Sequence, residues 1–191
     1  MDFGKRASAY DAGIEGKASR RFYNLLLREV ALRPGAAVLD VGCGTGALLK
    51  LFSGVSEISG YGIDIAERMI SEAREKCPGM GFHIARCDNM PFADSTFDAV
   101  ISCMAFHHYD NKIGFAKEAA RVLKPGGVLY IADPRFLQPI RKAMNGILRL
   151  VRLVGEFYTP KETEALFSDM GFKYIGVSVD AYAQVVKLQK Y

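Results

Sequence analysis

Val38-Leu39-Asp40-Val41-Gly42-Cys43-Gly44-Thr45-Gly46 decides the fold. An apolar run enters a turn of three alternating glycines, and helical spacing begins at once with Ala47 to Phe52. Glycine accepts positive φ and lets a ligand approach the main chain closely. The start of a helix leaves N–H groups unpaired, which favours an anionic or carboxylate-bearing ligand. A tight turn alone would not need three glycines. The stretch reads as a buried strand, a ligand-facing loop and a helix, the opening unit of a doubly wound α/β sheet.

Working outward, strand-like and helix-like segments alternate on both sides of this unit, as in a parallel sheet covered by helices on both faces. Ser19 to Leu32 is expected as a helix closed by Arg33-Pro34-Gly35, followed by the strand Ala36 to Val41. Ile58 to Ile63 reads as a second strand running into Asp64. Glu67 to Lys76 is then a helix stopped by Cys77-Pro78-Gly79. Phe82 to Ala85 and Phe97 to Met104 read as the third and fourth strands. Lys112 to Leu123 is a helix that Lys124-Pro125-Gly126-Gly127 terminates before a fifth strand, Val128 to Ala132. Beyond it the rhythm changes. Gln138 to Gly155 has the spacing of a basic amphipathic helix, and Thr159-Pro160-Lys161-Glu162 begins another that ends at Gly171. Lys173 to Val179 and Ala183 to Leu188 are too close to form anything but an antiparallel hairpin. The expectation is a single Rossmann-like domain over 1–191 with a mostly parallel seven-stranded sheet. Its parts are a flap and helix (1–34), a core (35–134), and a lid with the closing hairpin (135–191).

Composition agrees. The chain has 191 residues, 50% hydrophobic and 24% charged, which suits one soluble domain with a substantial core. Its net charge of +4 falls far short of a dedicated nucleic-acid binder. Cys43, Cys77, Cys87 and Cys103 form no C-x-x-C pair and have no histidine at zinc-ligand spacing, so no metal site is expected. Cys43 and Cys103 lie in apolar runs, where cysteine behaves as a small hydrophobe. Four unpaired thiols, a polar start and no long apolar run lead to a cytoplasmic expectation.

The glycine loop alone leaves the ligand open, because Gly42-x-Gly44-x-x-Ala47 also satisfies the dinucleotide fingerprint. Asp64, at a strand end, suits the ribose of either kind of adenosine cofactor. Asp40-Val41-Gly42-Cys43-Gly44-Thr45-Gly46 resembles the D-x-G-x-G-x-G motif of class I S-adenosylmethionine-dependent methyltransferases. The segment from Cys87 to Val100, His107-His108-Tyr109-Asp110, and Arg121 to Gly127 resemble later blocks of that family in the same order. The resemblance runs from Val38 to Ala132 and is strongest to the ubiquinone/menaquinone-biosynthesis C-methyltransferase subgroup.

This resemblance implies methyl transfer from S-adenosylmethionine to a small organic acceptor. It implies that Gly42, Cys43, Gly44 and Gly46 run against the methionine and ribose parts, and that Asp40 reaches the methionine ammonium directly or through water. Asp64 would take the ribose hydroxyls, Ile65 would face adenine, and Asp88 would accept from the adenine amino group. The Asn89 N–H would face a ring nitrogen, Cys103 would line the pocket, and Tyr10 would close over it from the flap. His107 and His108 follow the fourth strand, where a general base would stand, although a scaffold reading with one ring bonded to backbone outweighs that role. The chain has Ser102-Cys103-Met104-Ala105-Phe106 where amine methyltransferases of nucleic-acid bases carry D/N-P-P-Y/F, so a nucleic-acid acceptor is not expected.

From Pro134 to Gly155 there are five basic residues and no acidic one. Ile140, Met144, Ile147, Leu148, Val151 and Val154 share one side of the expected helix, opposite Arg141, Lys142, Asn145, Arg149 and Arg152. A lid whose apolar side lines a hydrophobic acceptor site is the first expectation, plain packing the second and contact with a membrane surface the third. A nicotinamide-dependent oxidoreductase and a non-catalytic S-adenosylmethionine-binding protein remain alternatives. The first of these would want a Tyr-x-x-x-Lys pair, which Tyr174 and Lys187 do not form.

Overall fold

The computed structural model describes residues 14–151 and 155–191; Tyr10, Arg152 and Val154 fall outside them. Its strands are β1 (Ala36–Val41), β2 (Ile58–Asp64), β3 (Gly81–Ile84), β4 (Phe97–Cys103), β5 (Leu123–Pro134), β6 (Phe172–Asp180) and β7 (Ala183–Lys190). The helices are α1 (Ile14–Glu29), α2 (Ala47–Ser53), α3 (Glu67–Lys76), α4 (Lys112–Val122), α5 (Gln138–Leu150) and α6 (Pro160–Ser168). One sheet carries the order β3-β2-β1-β4-β5-β7-β6. Strands β1 to β5 pair in parallel, while β7 runs antiparallel to both β5 and β6. This is the expected doubly wound sheet with its closing hairpin.

The chain leaves β1 for β2 and β3 on one side, then returns to place β4 on the other. That reversal opens a crevice at the carboxyl ends of β1 and β4, where ligands bind in such sheets. The pleat sends neighbouring side chains of β1 to opposite faces. Val38 packs with Phe22 and Leu26 of α1, Leu49 and Phe52 of α2, and Ile70 of α3. Leu39 packs with Phe115, Ala119 and Val122 of α4 and with Phe167 of α6. With both faces covered, β1 reads as an almost unbroken apolar run.

Helix α1 starts and ends earlier than the expected Ser19 to Leu32, and three further details depart from the sequence reading. Helix α4 stops at Val122, and Leu123 already belongs to β5. Residues 124–127 bulge between the pairs Phe97↔Leu123 and Ala99↔Val128, since Pro125 has no N–H to donate to a ladder. Helix α5 runs over Gln138–Leu150, and residues 152–154 of the span expected to Gly155 lie outside the described residues. The third departure is the largest, because α5 is turned about its axis: Met144 and Leu148 stay half-buried, but the inward side is shared with Arg141 and Asn145. Arg141 and Asn145 are each 8% exposed, whereas Ile140, Ile147, Leu150 and Val151 face outward. The backbone of Phe157 lies under the helix, and its polar groups require partners once buried. Arg141 Nη1 and Asn145 Nδ2 donate to the Phe157 carbonyl at 3.0 and 3.1 Å, and the Phe157 N–H donates to Asn145 Oδ1 at 3.0 Å. The expectation that the whole apolar side of this helix lines a pocket is therefore corrected for Ile140, Ile147 and Val151, which are exposed. Next in the chain, Thr159 and Glu162 form a reciprocal capping box at the start of α6, with Pro160 in its first turn as expected.

Candidate active site

The three loop glycines divide their tasks. Gly42, Gly44 and Gly46 have φ of 77°, 51° and 75°, values that a side chain would strain. A Cβ on Gly42 would lie 2.5 Å from the Cβ of Ala105, so this residue lets the loop pass the segment after β4. A Cβ on Gly44 would meet nothing within 4 Å, which leaves the main chain open toward the crevice. The loop is tied to β2, with the Gly42 and Cys43 N–H groups donating to the Ile63 carbonyl at 2.8 and 3.0 Å.

Two carboxylates stand behind this loop. Asp64 Oδ2 accepts from the Gly44 N–H at 3.0 Å, and Oδ1 accepts from the Ala66 N–H at 2.8 Å. Burial raises the Asp64 pKa, and these backbone donors partly offset it. Asp40 is 2% exposed, and its Oδ1 has no partner. Burial first, and the charge of Asp64 second, push its pKa up to about 8. A buried carboxyl with an unpaired oxygen is costly unless a donor or a cation meets it. Ile65, next to Asp64, is 72% exposed and presents an apolar surface at the strand end. Cys43 and Cys103 are buried, and desolvation pushes both thiols well above their ordinary pKa, so they act as small apolar wall rather than as nucleophiles.

Asp88 and Asn89 follow β3. Asp88 accepts from Arg86 Nε at 2.9 Å and from Asn111 Nδ2 at 2.8 Å, and these bonds lower its pKa. The Asn89 N–H closes a turn on the Arg86 carbonyl at 3.2 Å, so any ring nitrogen would have to share it.

Beyond β4, Tyr109 donates its hydroxyl to the Val41 carbonyl at 2.7 Å and lies 2.9 Å from Ser102 Oγ. It pins the end of β1 where the glycine loop departs. His107 is buried, and both its Nδ1 and its backbone N–H lie 2.9 Å from the carboxylate of Asp133. The Asp133 carboxylate thus holds the residue at two points and fixes the orientation of the ring. The ring stacks on Phe157, centroids 4.8 Å apart, while the exposed His108 ring lies 4.0 Å away. Asp133 and Phe157 escaped the sequence reading. A carboxylate ending β5 on the edge that holds Asp64 was the available signal for Asp133, whereas Phe157 gave none. Beside them a cleft of about 260 Å³ is lined by Arg135, Phe136, Gln138, Arg141, Tyr158 and Gln184. Gln184 pairs in register with Asp133, so the cleft adjoins the same edge.

A glycine loop at the switch point, flanked by two acidic side chains near strand ends, is the place where such α/β sheets take their ligands. The family described as a methyltransferase domain matches residues 39–131. A demethylmenaquinone methyltransferase of Tropheryma whipplei is 33% identical over 157 residues, 81% of this chain and 63% of that protein. A probable tRNA methyltransferase 9B of Bos taurus is 36% identical over 135 residues, 68% of this chain and 28% of that protein. The chain therefore spans less than two thirds of the length of these relatives. Among solved structures, the chain bound to the Haloferax volcanii Trm112 methyltransferase activator superposes with a TM-score of 0.83. It is 20% identical, with 99% of this chain and 97% of that chain covered, a likeness of fold. The chain belongs to the class I S-adenosylmethionine-dependent methyltransferases.

Proposed function

We propose that this chain transfers a methyl group from S-adenosylmethionine to a small organic acceptor at the carboxyl edge of β4 and β5. The observation that carries the reading is Asp40, a buried carboxyl group with an unpaired oxygen directly before an open glycine loop. The methionine ammonium is a cation of the kind that site lacks. Asp64 retains acceptor capacity beside its two backbone donors and suits ribose hydroxyls. Gly42, Cys43, Gly44 and Gly46 would border the methionine and ribose, Ile65 the adenine face, and Asp88 with Asn89 its polar edge. Tyr10 belongs to the same reading. When bound, S-adenosylmethionine supplies an activated methyl group on a sulfonium.

The remaining task of the chain is to align the acceptor, and orientation alone supplies ~7–11 kcal/mol in favourable cases. His107, held by Asp133 and Phe157, offers a fixed imidazole for an acceptor that keeps its proton at neutral pH. His108 is its exposed neighbour and takes the lesser part. A small acceptor is supported by the demethylmenaquinone relative, which aligns over more of this chain than the tRNA relative does. Calorimetry with S-adenosylhomocysteine, S-adenosylmethionine and NAD tests the donor site. Binding of NAD alone would make the oxidoreductase alternative correct. A labelled methyl donor with mixed metabolites and, separately, with tRNA tests the acceptor, and label in tRNA alone would overturn the small-acceptor reading.

A further inference from the structure

Helix α5 leaves much of its apolar side in solvent: Met144 and Leu148 are half-buried, but the rest of that side is exposed. A surface helix of a globular protein normally buries its apolar side and exposes its polar one. Here Arg141 and Asn145 are buried in hydrogen bonds to Phe157, and Arg141 also donates to Glu162 Oε1 at 3.0 Å. The outward side carries Ile140, Ile147, Leu150 and Val151, preceded by Leu137. Leu150 is 83% exposed and Leu137 is 67% exposed. Residues 137, 140, 147 and 151 fall within one stripe at helical spacing, so their exposed surfaces merge into a patch rather than scatter.

Its surroundings are cationic. The segment from Pro134 to Gly155 contains no acidic residue. Arg135 is exposed next to Leu137, Lys142 is exposed on the far edge of the helix beyond Leu150, and Lys161 is exposed in the first turn of α6. Of the acidic groups that follow in the chain, Glu162 is paired with Arg141, Glu156 accepts from the Tyr158 hydroxyl, and Glu164 is exposed one turn into α6. A second copy docked through the same patch would bring the Arg135, Lys142 and Lys161 charges of both copies into one interface, which opposes self-association. An anionic lipid surface meets both halves of the pattern, because acyl chains accept the apolar stripe and headgroups accept the cations.

We propose that α5 docks this chain, peripherally and in the plane of the interface, onto anionic membranes. Among the described residues no helix is long and apolar enough to cross a membrane, so docking means adsorption. The polar side of α5 is bonded to Phe157, whose ring stacks on His107, so the docked helix adjoins the proposed acceptor site. The docking itself does not depend on the methyl-transfer reading.

Vesicle flotation tests it with the whole chain and no cofactor. Vesicles of equal parts phosphatidylglycerol and phosphatidylcholine should carry the protein upward, and pure phosphatidylcholine should carry much less. Ile147→Glu and Leu150→Glu should each cut the partition coefficient roughly tenfold or more, since burying one such side chain is worth at least that factor. Val55→Glu, at an exposed site after α2, should leave it unchanged. Lys142→Gln should weaken adsorption and reduce its dependence on salt; it carries the test should either glutamate variant fail to fold by circular dichroism. Wild-type protein that stays with the unbound fraction overturns the proposal. So does flotation that survives the glutamate variants, or a dimer in light scattering that Leu150→Glu splits.

Discussion

Asp40 shows what a single buried carboxyl does to a site and to the stability of its fold. Its pKa moves from an unfolded value of about 3.9 to about 8 in the folded chain, chiefly through desolvation. The folded state therefore holds a proton that the unfolded state gives up. The stabilisation linked to that proton is complete below the unfolded value and drains away as pH rises through about 8. Asp40→Asn removes the titration and keeps the shape. The ligand-free variant should melt progressively higher than wild type as the buffer goes from about pH 5 to about pH 9. The same variant should bind S-adenosylhomocysteine more weakly by about 1.5–3 kcal/mol, the worth of a hydrogen bond to a charged group. Thermal melts across pH and calorimetry read the two effects. A variant that gains stability without losing affinity would remove Asp40 from the ligand site.

At the scale of elements, the turn from β1 into α2 separates folding from binding. Gly42 is needed by the protein itself, because Ala105 occupies the place of any side chain. Gly44 faces open space. Gly42→Ala adds overpacking to left-handed strain and should cost about 2–4 kcal/mol in urea unfolding. Gly44→Ala should cost only about 1–2 kcal/mol of stability while abolishing measurable binding of S-adenosylhomocysteine, because its methyl group enters the ligand's space. Equal stability losses with unchanged binding would show that the loop serves the turn alone. Helix α5 teaches the complementary lesson. Its amphipathicity was plain in the sequence, but a hydrophobic pattern states only that two sides differ. Which side turns inward was settled by the backbone groups of Phe157 beneath it.

Over the whole molecule, the proposed ligand site draws on β1, β2 and the segment after β4, and those strands lie between both apolar clusters. Ligand binding at that centre should register throughout the domain. S-adenosylhomocysteine at about a hundred times its dissociation constant should stabilise the fold by about 2.7 kcal/mol, raising a single cooperative melt. Amide exchange at residues 38–41 should then slow by about a hundredfold. Slowing confined to the loop at 42–46, with the melt unmoved, would show a local site uncoupled from the core.

The sequence by itself determined the alternation of strands and helices, the glycine turn, the strand-end position of Asp64 and the pairing of the last two strands. Each follows from local periodicity or backbone chemistry within a few residues. The element ends that shifted did so where local signals compete, as at Leu123, which a helix pattern and a strand ladder both claim. Only the tertiary structure decided that β7 inserts between β5 and β6, since strand order depends on packing between distant segments. It alone joined His107 to Asp133 and Phe157, 26 residues apart in the first case. It also decided that Asp40 is left without a partner, because burial and unmet hydrogen bonds belong to the assembled core and not to any stretch of chain.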